Sequence, residues 1–275
     1  MKRIIESVKS NSQQMLEILL LIAVAAFPFV VDLPHLFEEY LGKNPLSPEN
    51  FMLYTAVSNG KYIASFILTL IVLFGIRKYN AGLVMNRMRV YHDYSYSWYW
   101  FCAKVLGIKK CSLILVPIQM QFKLAIRGTF EEYPLNDDDY PAVAEEPECS
   151  VTKDNTDQSY SEINIVLEDT YIIEVDQIPT SKRDLYTIRI SRNDGKSNGR
   201  HFSQKFIETA INVVRSFKNI STVNVFATTN PKNTLHIANR VFGLGERGNI
   251  KHLYVFQQKR EDKNRVFESR GHRIY

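Results

Sequence analysis

Cysteine is scarce in this sequence: three residues in 275, at Cys102, Cys111 and Cys149. An odd number without zinc-ligand spacing excludes a disulfide scaffold and fits a reducing compartment. Such thiols ordinarily behave as small buried side chains, lipid modification of Cys102 and Cys111 near a membrane being the alternative. Twelve glycines and ten prolines, in a chain that is 45% hydrophobic, exclude collagen and a wholly disordered polymer. A catalytic set is missing too. The six histidines are scattered, no Ser or Cys sits in a nucleophile context, and no metal or cofactor is expected.

The formal net charge is only +5, but charge of one sign is nearly absent from whole stretches. Residues 77–129 hold nine basic residues and one acidic; residues 130–180 hold one basic and fifteen acidic. Residues 181–275 return to nineteen basic against seven acidic. Such polarity predicts an acidic loop beside a surface that meets membrane or nucleic acid.

Two apolar runs stand out. Met15 to Val31 is broken only by Glu17 and contains Pro28; Tyr62 to Ile76 is uncharged and extends back to Val57 if Lys61 snorkels. Spans over 15–31 and 57–76 are short for a bilayer core of about 20 residues. A cleaved signal peptide is the alternative for the first run, given Lys2, Arg3 and Ala23-Val24-Ala25, but apolar Phe27 to Val31 continue past that site. Lys2, Arg3 and Lys9 before the first run, and Arg77, Lys78, Arg87 and Arg89 after the second, place both termini inside by the positive-inside rule. Residues 1–79 are therefore expected to form a transmembrane hairpin with both termini and the large domain cytoplasmic. Residues 80–110, with Trp98, Trp100 and flanking cations, are expected to be an interfacial helical segment.

Residues 111–275 read as a cytoplasmic α/β domain with a small mixed or parallel sheet. Period-two alternation predicts a strand over 118–127, and Ser112 to Val116 reads as another. Glu131 to about residue 160 is an acidic loop, read also as a cover over the basic surface. Its Asp137-Asp138-Asp139 matches no calcium-loop spacing and is expected to stay solvated. Strands follow at 163–167, 185–191, 222–227 and 251–256, with helices from Ser203 and over 234–242. Alternation of this kind implies parallel pairing. Gly243 to Gly248 has dinucleotide-loop spacing but follows a helix and precedes a strand, the reverse of what that loop requires.

Ligands of parallel sheets bind beyond the carboxyl ends of strands. That rule selects Thr228, Thr229, Asn230, Lys232 and Asn233 as ligand-binding candidates, with helix capping as the ordinary alternative. Arg189, Arg192, Lys259, Arg260, Lys263 and Arg265 are polyanion-binding candidates, internal neutralisation being their alternative. Glu17, Pro28, Lys61, Trp98 and Trp100 are the membrane candidates.

With spans at 15–31 and 57–76, a basic segment at 77–110 and a soluble region after it, the chain resembles two-transmembrane effectors of bacterial anti-phage systems. These are of the retron-associated or cyclic-oligonucleotide-signalling type. The resemblance is architectural and transfers no site residue. It implies an inner-membrane effector held silent until phage is sensed, which then oligomerises, disrupts the bilayer and arrests or kills the host. It also implies as partner a retron reverse transcriptase with its DNA–RNA hybrid, or a cyclic nucleotide signal. A membrane-anchored receptor or scaffold, and an anchored enzyme, remain open beside it.

Overall fold

A computed structural model describes residues 10–31, 48–141, 146, 148–156, 161–192, 200–217, 219–243, 250–260 and 262–275. The chain divides into two compact units. One comprises residues 1–90 with 100–110, the other residues 91–99 with 111–275.

In the first unit, helices α1 (Ser12–Val30) and α2 (Pro48–Asn80) pack together as a hairpin. The apolar stretches capable of spanning are Ser12–Val30, 19 residues, and Asn59–Asn80, 22 residues. At 1.5 Å per residue these reach about 29 and 33 Å, enough for a hydrocarbon core of about 30 Å. The second span is thus longer than its apolar run suggested, because Arg77 to Asn80 continue the helix. Their outward faces are apolar: Leu16, Leu19, Ile22, Ile63, Phe66 and Phe74 are all at least 60% exposed. Core helices of a soluble domain would bury these side chains.

Polar contacts set the register of the pair. Glu17 accepts from Asn80 Nδ2 at 2.8 Å, Ser65 Oγ donates to the Ala25 carbonyl at 2.7 Å, and Phe29 meets Tyr62 edge-on. Lys61 Nζ lies 5.5 Å from the Tyr62 ring centre and 5.9 Å from that of Phe29. Pro28 falls in the last turn of α1, where its missing amide leaves the Val24 carbonyl without its helical donor. Of residues 81–110, only α3 (Tyr96–Lys104) is helical. Arg77 donates to the carbonyls of Lys104 and Val105, and so satisfies the end of α3. Trp100 is exposed, Trp98 half-buried, and Tyr99 fully buried against Phe130, so the aromatic run is in part core.

In the second unit, the described residues form a six-stranded mixed sheet. Its strands are β1 (Ser150–Asp154), β2 (Glu162–Glu168), β3 (Thr187–Ser191), β4 (Thr222–Ala227), β5 (His252–Phe256) and β6 (His272–Arg273), in spatial order β1-β3-β2-β4-β5-β6. β3, β2, β4 and β5 run parallel, and the edge strands β1 and β6 are antiparallel. Side chains alternate cleanly. Ile163, Ile165, Leu167, Ile188, Val223, Val225 and Leu253 face a core built with α4 (Ile118–Ile126), α5 (Gln204–Arg215) and α6 (Pro231–Ile237). Val166, Phe226 and Phe256 face Ile173, Ile178 and Phe267 on the other side.

Three expectations are corrected. Residues 118–126 are α4, not a strand. Pro117 stands at its N-terminus, and Gln119 and Gln121 are buried rather than pointing to solvent, so the alternation did not mark an exposed face. Residues 112–116 form turns, with Leu115 at φ +58°, and not a strand. Ser150–Asp154, expected within the acidic loop, is an edge strand. Ser203 does cap α5, its side chain accepting from Phe206 N. The second expected helix begins earlier than 234, at Pro231, because Asn230 caps it through Lys232 N and Asn233 N. Gly245 and Gly248 lie outside the described residues.

Candidate ligand site

The chain runs from β2 outward to β3 on one side and to β4 on the other, so its switch point lies between the ends of β2 and β4. Crevices outside the carboxyl ends of strands at such points are where ligands bind. A cavity of about 350 Å³ lies here, with Thr170 and Tyr171 after β2 and Thr228, Thr229 and Asn230 after β4 in its wall.

Beneath the wall is a polar cluster. Asp169 and Arg192, at the ends of β2 and β3, form an ion pair at 3.1 Å with both side chains almost wholly buried. Asp169 Oδ2 also accepts from Asn230 N, Asn230 Nδ2 and Asn233 Nδ2 at 2.8–3.0 Å. Both amides donate to the His201 carbonyl as well. Burial pushes the Asp169 carboxyl above its ordinary range, opposed by Arg192 and these donors. Thr228 Oγ1 accepts from Asp169 N and donates to the Tyr171 carbonyl. The cluster locks the two loops together at the switch point.

Sequence-selected residues therefore separate. Thr228, Thr229 and Asn230 line the cavity, but Asn233 belongs to the buried cluster and Lys232 lies over the Phe202 ring. Arg189 and Arg192 are paired with Glu168 and Asp169 inside the domain. Arg260 and Arg265 stack on Tyr91 and Tyr171, their Cζ atoms 4.0 and 4.4 Å from the ring centres, and both tyrosines line the cavity. Lys259 and Lys263 are exposed.

Sequence reasoning missed Tyr91, Gln121, Tyr171, Arg200, Gln257 and Gln258 in this wall. For Thr170 and Tyr171, applying the strand-end rule to β2 as well as β4 would have found them. Gln121 was hidden by the strand reading of α4. Among the described residues no acidic side chain lines the cavity.

The acidic segment touches the fold elsewhere. Glu146 accepts from Ser203 Oγ, Gln204 N and Lys205 N at 2.7–3.0 Å, at the start of α5. Burial raises the Glu146 carboxyl pKa, but these donors outweigh it and hold the group below its ordinary range. Lys205 donates to Glu148. Asp137–Asp139 form one 3₁₀ turn, and among the described residues no group of three His, Cys, Asp or Glu side chains could hold a metal ion.

A scan against protein families matches residues 1–275 to the SMODS- and ubiquitin system-associated 2TM effector domain. The chain belongs to this family. It is a two-transmembrane anti-phage defence effector, a membrane protein with an N-terminal helix pair and an α/β domain. No curated protein matches the effector. Among solved structures it is similar to the Acinetobacter baumannii Cap4 SAVED/CARF-domain containing receptor with the cyclic trinucleotide 3'3'3'-cAAA. The identity is 11% and the TM-score 0.41, over 62% of this chain and 40% of that one. The same receptor with 2'3'3'-cAAA gives 11% identity and TM-score 0.41, over 65% and 41%. The effector spans about 40% of the length of these receptors.

Proposed function

We propose that the effector perturbs the bilayer through α1 and α2, and that a nucleotide signal bound at the switch-point cavity controls it. The hairpin's construction carries the reading. Two exposed apolar helices bring Glu17, Ser65 and Lys61 into the membrane region, a set costly for a lone anchor. Association of several copies would place such groups against one another and open a leak. The positive-inside bias supports an inner-membrane protein with both termini and the α/β domain cytoplasmic, and Trp98 and Trp100 are proposed to lie at that interface. Collapse of the membrane potential would arrest the infected host.

A cavity of about 350 Å³ lies at the lower end of the small-molecule range and suits a nucleotide unit better than a duplex. With Arg189 and Arg192 neutralised internally, a retron reverse transcriptase with its DNA–RNA hybrid is the less supported partner. Expressed without its restraining partner, the effector is expected to depolarise cells, read with a potential-sensitive dye. Leu70→Arg, in the middle of the second span, is expected to abolish this. Retained potential with the wild-type protein correctly inserted would contradict the proposal.

A further inference from the structure

The two ends of the second span treat their cations differently. Lys61, near its start, lies over the rings of Phe29 and Tyr62. Beyond its other end, Lys78, Arg87, Arg89 and Lys104 are all exposed, and among the described residues none of the four is paired with a carboxylate. Glu17 is the carboxylate that the hairpin brings to this end. It is 8% exposed, and its oxygens accept from Asn80 and Gln13. Residues 77–110 hold seven basic residues and one acidic, Asp93.

Internal bonds hold the end of α3 against the end of the span. Arg77 donates to the carbonyls of Lys104 and Val105 at 2.5 and 2.9 Å, and Asn80 Nδ2 to that of Leu106 at 3.0 Å. Gly107, at φ +77°, lets the Arg77 stem lie on its backbone; a Cβ there would meet Arg77 Cγ at 2.9 Å. Lys104 is thereby fixed beside the last turn of α2. On α3, Ser97, Trp100 and Lys104 make the exposed face, while Tyr99, Cys102 and Ala103 are buried. Trp100 thus stands one turn before Lys104 on the same face, 47% exposed, and Tyr79 in the last turn of α2 is 67% exposed.

We propose that this end of the hairpin binds anionic phospholipid, with Lys78, Arg87, Arg89 and Lys104 holding headgroup phosphate and Trp100 and Tyr79 lying among the headgroups. Asn80 ends a helix long enough to cross the hydrocarbon core, so groups bonded to its last turn lie where phosphates begin. Lysine meets phosphate as a compact charge while its methylene stem follows the apolar layer. Basic residues clustered directly beside a span favour anionic over neutral lipid, by about fivefold in partition for each cation close to the surface. A zwitterionic headgroup carries its own cation and gains little from four more. The inference rests on the proposed interfacial position of Trp100 and is independent of any leak.

The test is tryptophan quenching in the full chain carrying Trp98→Phe, which leaves Trp100 as its one tryptophan. The protein is placed in vesicles of equal parts phosphatidylcholine and phosphatidylglycerol, with bromine near the headgroup end of the acyl chains of one lipid or of the other. The composition is otherwise the same. Quenching is expected to be about twofold or more stronger when phosphatidylglycerol carries the bromine. Combining Lys78→Gln, Arg87→Gln, Arg89→Gln and Lys104→Gln is expected to bring the two lipids to parity, as is high salt. Emission in unbrominated vesicles and the thermal midpoint record that both proteins are folded and inserted alike. Equal quenching by the two lipids before these changes would overturn the inference while leaving Trp100 at the interface. No quenching by either would overturn the interfacial position as well. A preference kept in the combined variant would also overturn the inference, because the four cations would not be its source.

Discussion

Asp169 and Arg192 show how a single pair can decide whether the loops at the end of the sheet hold together. Removing one member of a buried ion pair leaves the other charged and desolvated. Asp169→Ala is therefore expected to cost about 3–5 kcal/mol, read by chemical denaturation of the detergent-solubilised protein. A loss no larger than that of a surface change would mean that the cluster does not hold β2, β3 and β4 in place. Glu146 is the milder case. Its folded pKa lies below the unfolded value, so its contribution is present above the unfolded value, near 4.3, and is lost as pH falls through the folded one. Glu146→Gln is expected to cost about 0.5–1 kcal/mol at pH 7 and nothing in acid, where both side chains are neutral. An equal difference at both pH values would contradict a charge-based role.

Among the elements, α1 and α2 are tied at one end by a compact polar knot. Asn80 donates to Glu17 and to the Leu106 carbonyl, and accepts from Gln13. Interhelical hydrogen bonds in membranes average about 0.6 kcal/mol and reach about 1.7. Asn80→Ala, removing several at once, is expected to destabilise the hairpin by about 1–2 kcal/mol, seen as a lower thermal midpoint in detergent. An unchanged midpoint would mean that apolar packing alone sets the pair. The spans were legible because a bilayer demands an unbroken apolar run, and β2 and β4 because two buried faces leave strand-length apolar segments. β1 was invisible: all five of its residues are exposed, and its pairing is an edge contact without burial pattern. α4 misled because a buried glutamine that bonds backbone reads like a solvent-facing one. The carboxyl-end rule found half of the cavity, the β4 half. The remainder comes from segments as distant in sequence as Tyr91 and Gln258, which no local pattern joins.

Across the whole molecule, the charge asymmetry resolves into several uses. Arg77 closes a helix end, Arg189 and Arg192 meet carboxylates, and Arg260 and Arg265 rest on two tyrosine rings of the cavity wall. In the proposed account the α/β domain, which carries the pocket, reads the signal, and the helix pair acts on the membrane. The central claim is that the native spans do more than tether. Cells carrying a chimera, with α1 and α2 replaced by an inert leucine-rich hairpin of equal length, are compared with wild type for membrane potential during phage challenge. The account predicts depolarisation in wild type and a steady potential in the chimera at equal membrane abundance. Equal depolarisation in both would contradict it.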